Sequence, residues 1–182
     1  MYFSGLILTL AATASAVDVR AWKSDVCSGS SRACVGLNPG VCCSFTDSAN
    51  SGLLSISVNA IPSSWRIRTE AYTGGGCRSI ANQYDSNGKT DVCMAYSSRR
   101  DRTAGKYYFI GRKRADDKSC PAKETDGGDC KSFVKPNALG LEDGTMYNIA
   151  GLTEEKIQEL EEIANTGAGP DAIPAEFKVL DA

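Results

Sequence analysis

The sequence predicts an all-β, disulfide-rich β-sandwich with an acidic C-terminal extension containing one α-helix. Three observations point there: eight cysteines in 182 residues, short apolar runs at period two between Gly, Ser, Asn and Pro clusters, and a single helical stripe near the C-terminus. The chain has no histidine. That excludes Ser-His-Asp and Cys-His catalytic arrangements, His-ligated zinc and His-based nucleases as they are usually built. A hydrophobic share of 42% is too high for a wholly disordered chain.

Residues 1–16, MYFSGLILTLAATASA, read as a signal peptide, with an apolar run from Leu6 to Leu10 and small residues ending in Ala14-Ser15-Ala16. The run is far shorter than the roughly 20 residues that cross a bilayer, so a secreted, extracellular product beginning at Val17 is expected. Cys27, Cys34, Cys42, Cys43, Cys77, Cys93, Cys120 and Cys130 all lie beyond the cleavage site. In an oxidising compartment they read as four disulfides, each stabilising by about 2–4 kcal/mol. No C-x-x-C occurs, and adjacent Cys42 and Cys43 are poor ligands for one tetrahedral ion. Neither a metal nor a cofactor is expected.

Charge divides what remains. Residues 17–114 carry fourteen Lys and Arg against seven Asp and Glu, and residues 115–182 carry six against fifteen. The switch falls at Arg112-Lys113-Arg114, a candidate processing site or equally a solvated basic strand end or a phosphate-binding patch. Six cysteines precede it and two follow, so each part can close its own bridges, although the six allow fifteen pairings.

In the basic part, Leu54, Ile56 and Val58 alternate with Ser55, Ser57 and Asn59. Trp65, Ile67 and Thr69 alternate with Arg66, Arg68 and Glu70, and Tyr107 to Ile110 make a further strand. Turn signals separate them at Ile61 to Ser64, Thr73 to Gly76 and Ser86-Asn87-Gly88. Ala21-Trp22, four residues and Cys27 are echoed by Ala71-Tyr72, four residues and Cys77, which suggests two similar Greek-key halves.

On these residues the chain resembles the βγ-crystallin-like family, which repeats aromatic-x4-aromatic-x-Gly in each key. Trp22 with Cys27-Ser28-Gly29 fits that frame with Cys in place of the second aromatic, while Ser79 stands where the second copy wants Gly. The chain also looks like small secreted Cys-rich proteins of fungi, among them killer toxins and host-directed effectors. The resemblance implies calcium loops at Asp47 to Ser51 and at Asp85 to Gly88 with Thr90 and Asp91. These offer too few carboxylates for the six to eight oxygens calcium takes, and turn chemistry is the plainer reading.

The acidic part reads as a Gly-rich loop from Ala115 to Leu141, pinned by a Cys120–Cys130 pair, then a helix over about 153–165 and an extended tail. Thr153 caps the helix and Ile157, Leu160, Ile163 and Ala164 form its stripe. A lone helix of this length is marginal in water, so the acidic extension is expected to contact the basic domain.

For function, a binding protein that acts on a host or competitor macromolecule without turnover is expected, as an effector or toxin. Its candidate binding residues are Trp65, Arg66, Arg68, Tyr72, Arg78, Arg99, Arg100 and Arg102, with Tyr84 and Tyr96 among them, which together suit an anionic partner. Alternate arginines are also what the solvent face of a half-buried strand looks like. A chitin-like polysaccharide module and a protease inhibitor presenting Thr73 to Gly76 are alternatives. The least favoured is a His-free glycosidase drawing on Glu70, Asp85, Asp91 and Asp101.

Overall fold

The computed structural model describes residues 17–97, 101–111 and 133–180. Cys120, Cys130, Arg99, Arg100 and Arg112 to Arg114 lie outside the described residues. The strands are β1 (Val17–Trp22), β2 (Ser31–Leu37), β3 (Cys42–Ser44), β4 (Ser55–Asn59), β5 (Ile67–Thr73), β6 (Ser79–Asp85), β7 (Val92–Met94), β8 (Ala104–Phe109), β9 (Phe133–Val134), β10 (Ala138–Gly140) and β11 (Met146–Asn148). One helix, α1 (Glu154–Asn165), and a short 3-10 turn at Pro170–Ala172 follow.

Two sheets result, in the orders β11-β10-β2-β1-β4-β7 and β6-β5-β8-β3-β9. Strands β1 to β4 and β5 to β8 behave alike. In each group the first strand pairs with the second and fourth, while the third crosses to the other sheet, β3 beside β8 and β7 beside β4. Val19, Ile56 and Val58 of the first sheet meet Ile67, Ala71 and Tyr107 of the second in one core, as the alternation requires. The sheets approach tightly at Gly105 of β8, where a Cβ would stand 2.5 Å from Val19 Cγ1 and 2.9 Å from Ile56 Cγ2.

Strand β4 departs from simple alternation, because Ser55 and Ser57, on the expected solvent phase, are buried. The end of β1 and the segment after it cover them. The Cys27 N–H donates to Ser55 Oγ at 3.0 Å, Ser55 Oγ donates to the Ser24 carbonyl at 2.7 Å, and Trp22 Nε1 donates to Ser57 Oγ at 2.8 Å. Burial of these hydroxyls is tolerated because each is bonded.

Three disulfides join Cys27 to Cys93, Cys34 to Cys43 and Cys42 to Cys77, and no described cysteine is free. The Cys34–Cys43 bridge ties β2 to β3 across the sandwich. Cys42–Cys77 ties β3 to the turn after β5, and Cys27–Cys93 ties the first loop to β7.

The acidic extension is built into the sandwich further than its composition suggests. Within the stretch read as a loop, β9 lies parallel to β3 and β10 antiparallel to β2, with Ala138, Leu139 and Leu141 buried. Strands of two or three residues are too short to display a period. Helix α1 starts where expected, with the Thr153 side chain accepting from the Lys156 N–H. Leu160 and Ala164 pack with Leu139, Tyr147, Ile149 and Phe177 in a second core. Phe177 belongs to the segment read as an extended tail, and Val179 there bridges to Tyr147. At the other flank of the helix, Arg32 of β2 pairs with Glu161, and Ser30 Oγ donates to Asn165 Oδ1 at 2.8 Å. No helix among the described residues is long and apolar enough to cross a membrane.

Two stability outcomes follow from this packing. Replacing both Cys27 and Cys93 by Ser opens a bridge spanning 66 residues and is expected to cost about 4 kcal/mol. The 9-residue Cys34–Cys43 bridge is worth about 2.5 kcal/mol on the same chain-entropy scale, and urea midpoints will rank the two. Leu160→Ala should cost about 2–5 kcal/mol, with the loss seen in amide exchange across α1 and β10.

Candidate functional site

Strand β5 sets the site. Its core-facing residues are Ile67, Thr69 and Ala71, so Arg68, Glu70 and Tyr72 point to the outer face of the second sheet, with Arg66 just before them. Register then supplies their neighbours. Arg68 lies between Asp85 of β6 and Tyr108 of β8, and Glu70 lies between Gln83 and Lys106. Tyr108, Gln83 and Lys106 carry no signal of their own in the sequence, because only strand pairing brings them to Glu70.

Glu70 is 4% exposed although it occupies an outer-face position. Its Oε1 accepts from Gln83 Nε2 at 2.7 Å and from the Tyr108 hydroxyl at 3.0 Å, and its Oε2 accepts from the Tyr72 hydroxyl. Three fixed donors make the burial of a carboxylate tolerable. Beside it, Arg68 donates twice to Asp85, Nε to Oδ1 at 2.6 Å and Nη2 to Oδ2 at 3.1 Å. That bond holds the Asp85 carboxyl below the usual range and raises the affinity of Arg68 for its proton. Burial pushes the Tyr108 hydroxyl up, and its bond to Glu70 pushes it further.

The sequence-derived binding residues separate in space. Arg66 and Arg78 are exposed, and Arg68 is half-exposed and paired. Trp65 packs on Phe109 with ring centroids 4.7 Å apart, half-buried against the main core. Tyr72, 5% exposed, is covered by Cys42, Cys77 and Ala104. Arg102 is fully buried, its Nη2 donating to Asn82 Oδ1 at 2.6 Å and its guanidinium 5.4 Å from the Tyr96 ring centre. Tyr72 and Arg102 are therefore buried, Tyr72 under the Cys42–Cys77 bridge and Arg102 against Asn82 and Tyr96.

The other candidate constellations fare differently. Burial works to raise Asp91, but hydrogen bonds from Asn59 Nδ2 at 2.9 Å and Thr90 Oγ1 at 2.8 Å leave it lowered. Among the described residues no group of three His, Cys, Asp or Glu stands ready for a metal ion. The Thr73 to Gly76 turn is folded back. Gly76 N–H donates to Thr46 O at 2.9 Å, and a Cβ on Gly75 would stand 2.3 Å from Asp47 O. The bridges of Cys27, Cys34 and Cys42 run to Cys93, Cys43 and Cys77, in separate parts of the sandwich.

Comparison with known proteins adds the lineage. The model of the ARB_05566_N family, an N-terminal domain, matches residues 18–137, well over half of the chain. The chain belongs to that family. The match runs beyond Arg114 and includes β9, which accords with the way the extension joins the second sheet. An uncharacterized secreted protein of Arthroderma benhamiae is 24% identical over 177 residues, which span 96% of this chain and 89% of that protein. No solved structure matches. With a secreted relative across almost its whole length and three disulfides in its body, this member of the family is a secreted protein.

The Arg68–Asp85 pair makes one testable prediction. Because Asp85 is held below its unfolded value of about 3.9, the pair stabilises above that pH and its contribution disappears as pH falls through the lowered value. Asp85→Asn should therefore lower the melting temperature near pH 6, with the gap to the parent narrowing as the pH is taken below the ordinary carboxylate range. A pH-independent difference would show that the charge is irrelevant.

Proposed function

We propose that this secreted protein works by binding and not by turnover, using the outer face of its second sheet to recognise an anionic macromolecule of another organism, as an effector or toxin. The observation that carries the reading is the saturation of the carboxylates on that face. Glu70 is held by Tyr72, Tyr108 and Gln83, and Asp85 by Arg68. A glycosidase needs one carboxyl able to give up a proton and another poised at the sugar, with room for substrate between them. Here the donors are fixed and the surface is a pleated face, an arrangement suited to presenting Arg66 and Lys106 in constant geometry. Fixed polar groups lose little entropy on association, which favours recognition.

The strand exchange between the two groups of four supports a finer statement of the fold, a pair of Greek keys of βγ-crystallin-like type with the extension added along both sheets.

The experiment is a binding series with the secreted protein on immobilised chitin, sulfated glycan and nucleic acid, across salt concentrations. An anionic ligand should be retained, with retention falling as salt rises, and Arg66→Ala should weaken it about two- to fivefold, the equivalent of one exposed ion pair. Retention on neutral chitin alone would defeat the reading. So would a hydrolytic activity abolished by Glu70→Gln.

A further inference from the structure

Strand β6 ends the second sheet, and no described residue pairs with its outer edge. The other sheet ends differ: β7 and β11 have three residues and β9 two, Cys93 of β7 is bridged to Cys27, and Tyr147 of β11 is bridged to Val179. Strand β6 has seven residues. The Ser86 N–H donates to Ile67 O at 2.9 Å, so by antiparallel alternation Tyr84 and Asn82 bond inward, and Gln83 and Asp85 turn their backbone N–H and C=O to the open side. Natural sheets usually blunt such an edge, since it is a template for another strand. Here it carries an exposed apolar side chain on each face, Tyr84 on the face of Thr69 and Ile80 on the face of Tyr72, each 49% exposed.

Charge decides what fits. Arg78 precedes the strand and Arg66 lies beside its far end, both exposed. Asp85, the carboxylate of β6, is already neutralised by Arg68. The edge is therefore cationic at both ends, and a second copy paired antiparallel would bring Arg78 toward the partner's Arg66 and Arg68.

We infer that the open edge of β6 receives an extended acidic segment of a partner protein, which adds a strand to the second sheet with its carboxylates at Arg78 and Arg66 and its apolar residues on the face of Tyr84. Main-chain hydrogen bonds give such an addition its affinity and the flanking side chains its selectivity. The inference rests on the proposed binding function and narrows its partner to an extended acidic peptide.

The test uses the secreted full chain and a labelled seven-residue peptide of alternating Glu and Val, the length of β6. The same peptide N-methylated on the pairing edge and a sulfated polysaccharide serve as further probes. The peptide should bind and slow amide exchange at Gln83 and Asp85. N-methylation and, separately, Arg78→Glu should each weaken binding about tenfold, the scale of one or two lost charge-assisted hydrogen bonds. Equal binding of the N-methylated peptide would overturn the edge pairing. Failure of the peptide while the polysaccharide still binds through Arg66 would overturn this inference and leave the proposed function standing, whereas failure of both probes would remove both. Concentration-dependent dimers abolished by Gln83→Pro would reassign the edge to a second copy and overturn the acidic partner.

Discussion

A strand of three residues offers few ladder hydrogen bonds, and β3 is such a strand, yet it must sit beside β8 in the sheet opposite its sequence neighbours. Adjacent Cys42 and Cys43 solve this, because consecutive side chains on a strand point to opposite faces. Cys43 faces inward and joins Cys34 of β2 across the core, while Cys42 faces outward and joins Cys77. A single strand is thus stapled on both sides. The outward staple covers Tyr72, whose hydroxyl is bonded to Glu70, and Glu70 in turn engages Gln83 and Tyr108. The order of the outer face therefore descends from the same pair of cysteines that fixes the exchange of strands.

The opposite charges of the two chain segments resolve into local contacts. Arg32 is met by Glu161, and this pair flanks a helix whose attachment comes chiefly from Leu160 and Ala164 in the second core. Part-burial raises the cost of leaving such a charge unpaired, so removing either Arg32 or Glu161 alone is costlier than the pair itself is stabilising. The two strands β10 and β11 give the helix a surface to cover, which is why an element marginal in isolation is ordered here.

How much of this was legible in the sequence depended on the length of each signal. The 3.6-residue stripe from Ile157 to Ala164, with Thr153 before it, located the helix to within a residue. The even cysteine count pointed to disulfides without choosing among pairings, since pairing is set by which strands cross. Strands β9, β10 and β11 left no period to read, and Phe177 reads as an isolated aromatic in a polar tail. At the site, Arg68 and Glu70 were visible as the polar phase of β5, but the burial of Glu70 depends on Gln83 and Tyr108, which lie 13 and 38 residues away. Register is a property of pairs of strands, so no reading of one strand supplies it.

A net basic count over a segment is also a poor guide to where a field acts. Arg20 is paired with Asp18, Arg32 with Glu161 and Arg68 with Asp85, and Arg102 lies inside the protein beside Asn82 and Tyr96. Paired charges a few ångströms apart cancel within a Debye length of about 8 Å at physiological salt, so they add little to what an approaching partner meets. Among the described residues, the exposed arginines left at the second sheet are Arg66 and Arg78, at the two ends of one open strand, with Lys106 part-exposed on its face. Two point charges separated by the length of a strand discriminate partners by spacing, which a diffuse basic surface does not do. The same spacing favours an extended chain, whose carboxylates can fall at both ends at once, over a compact anion that can reach only one.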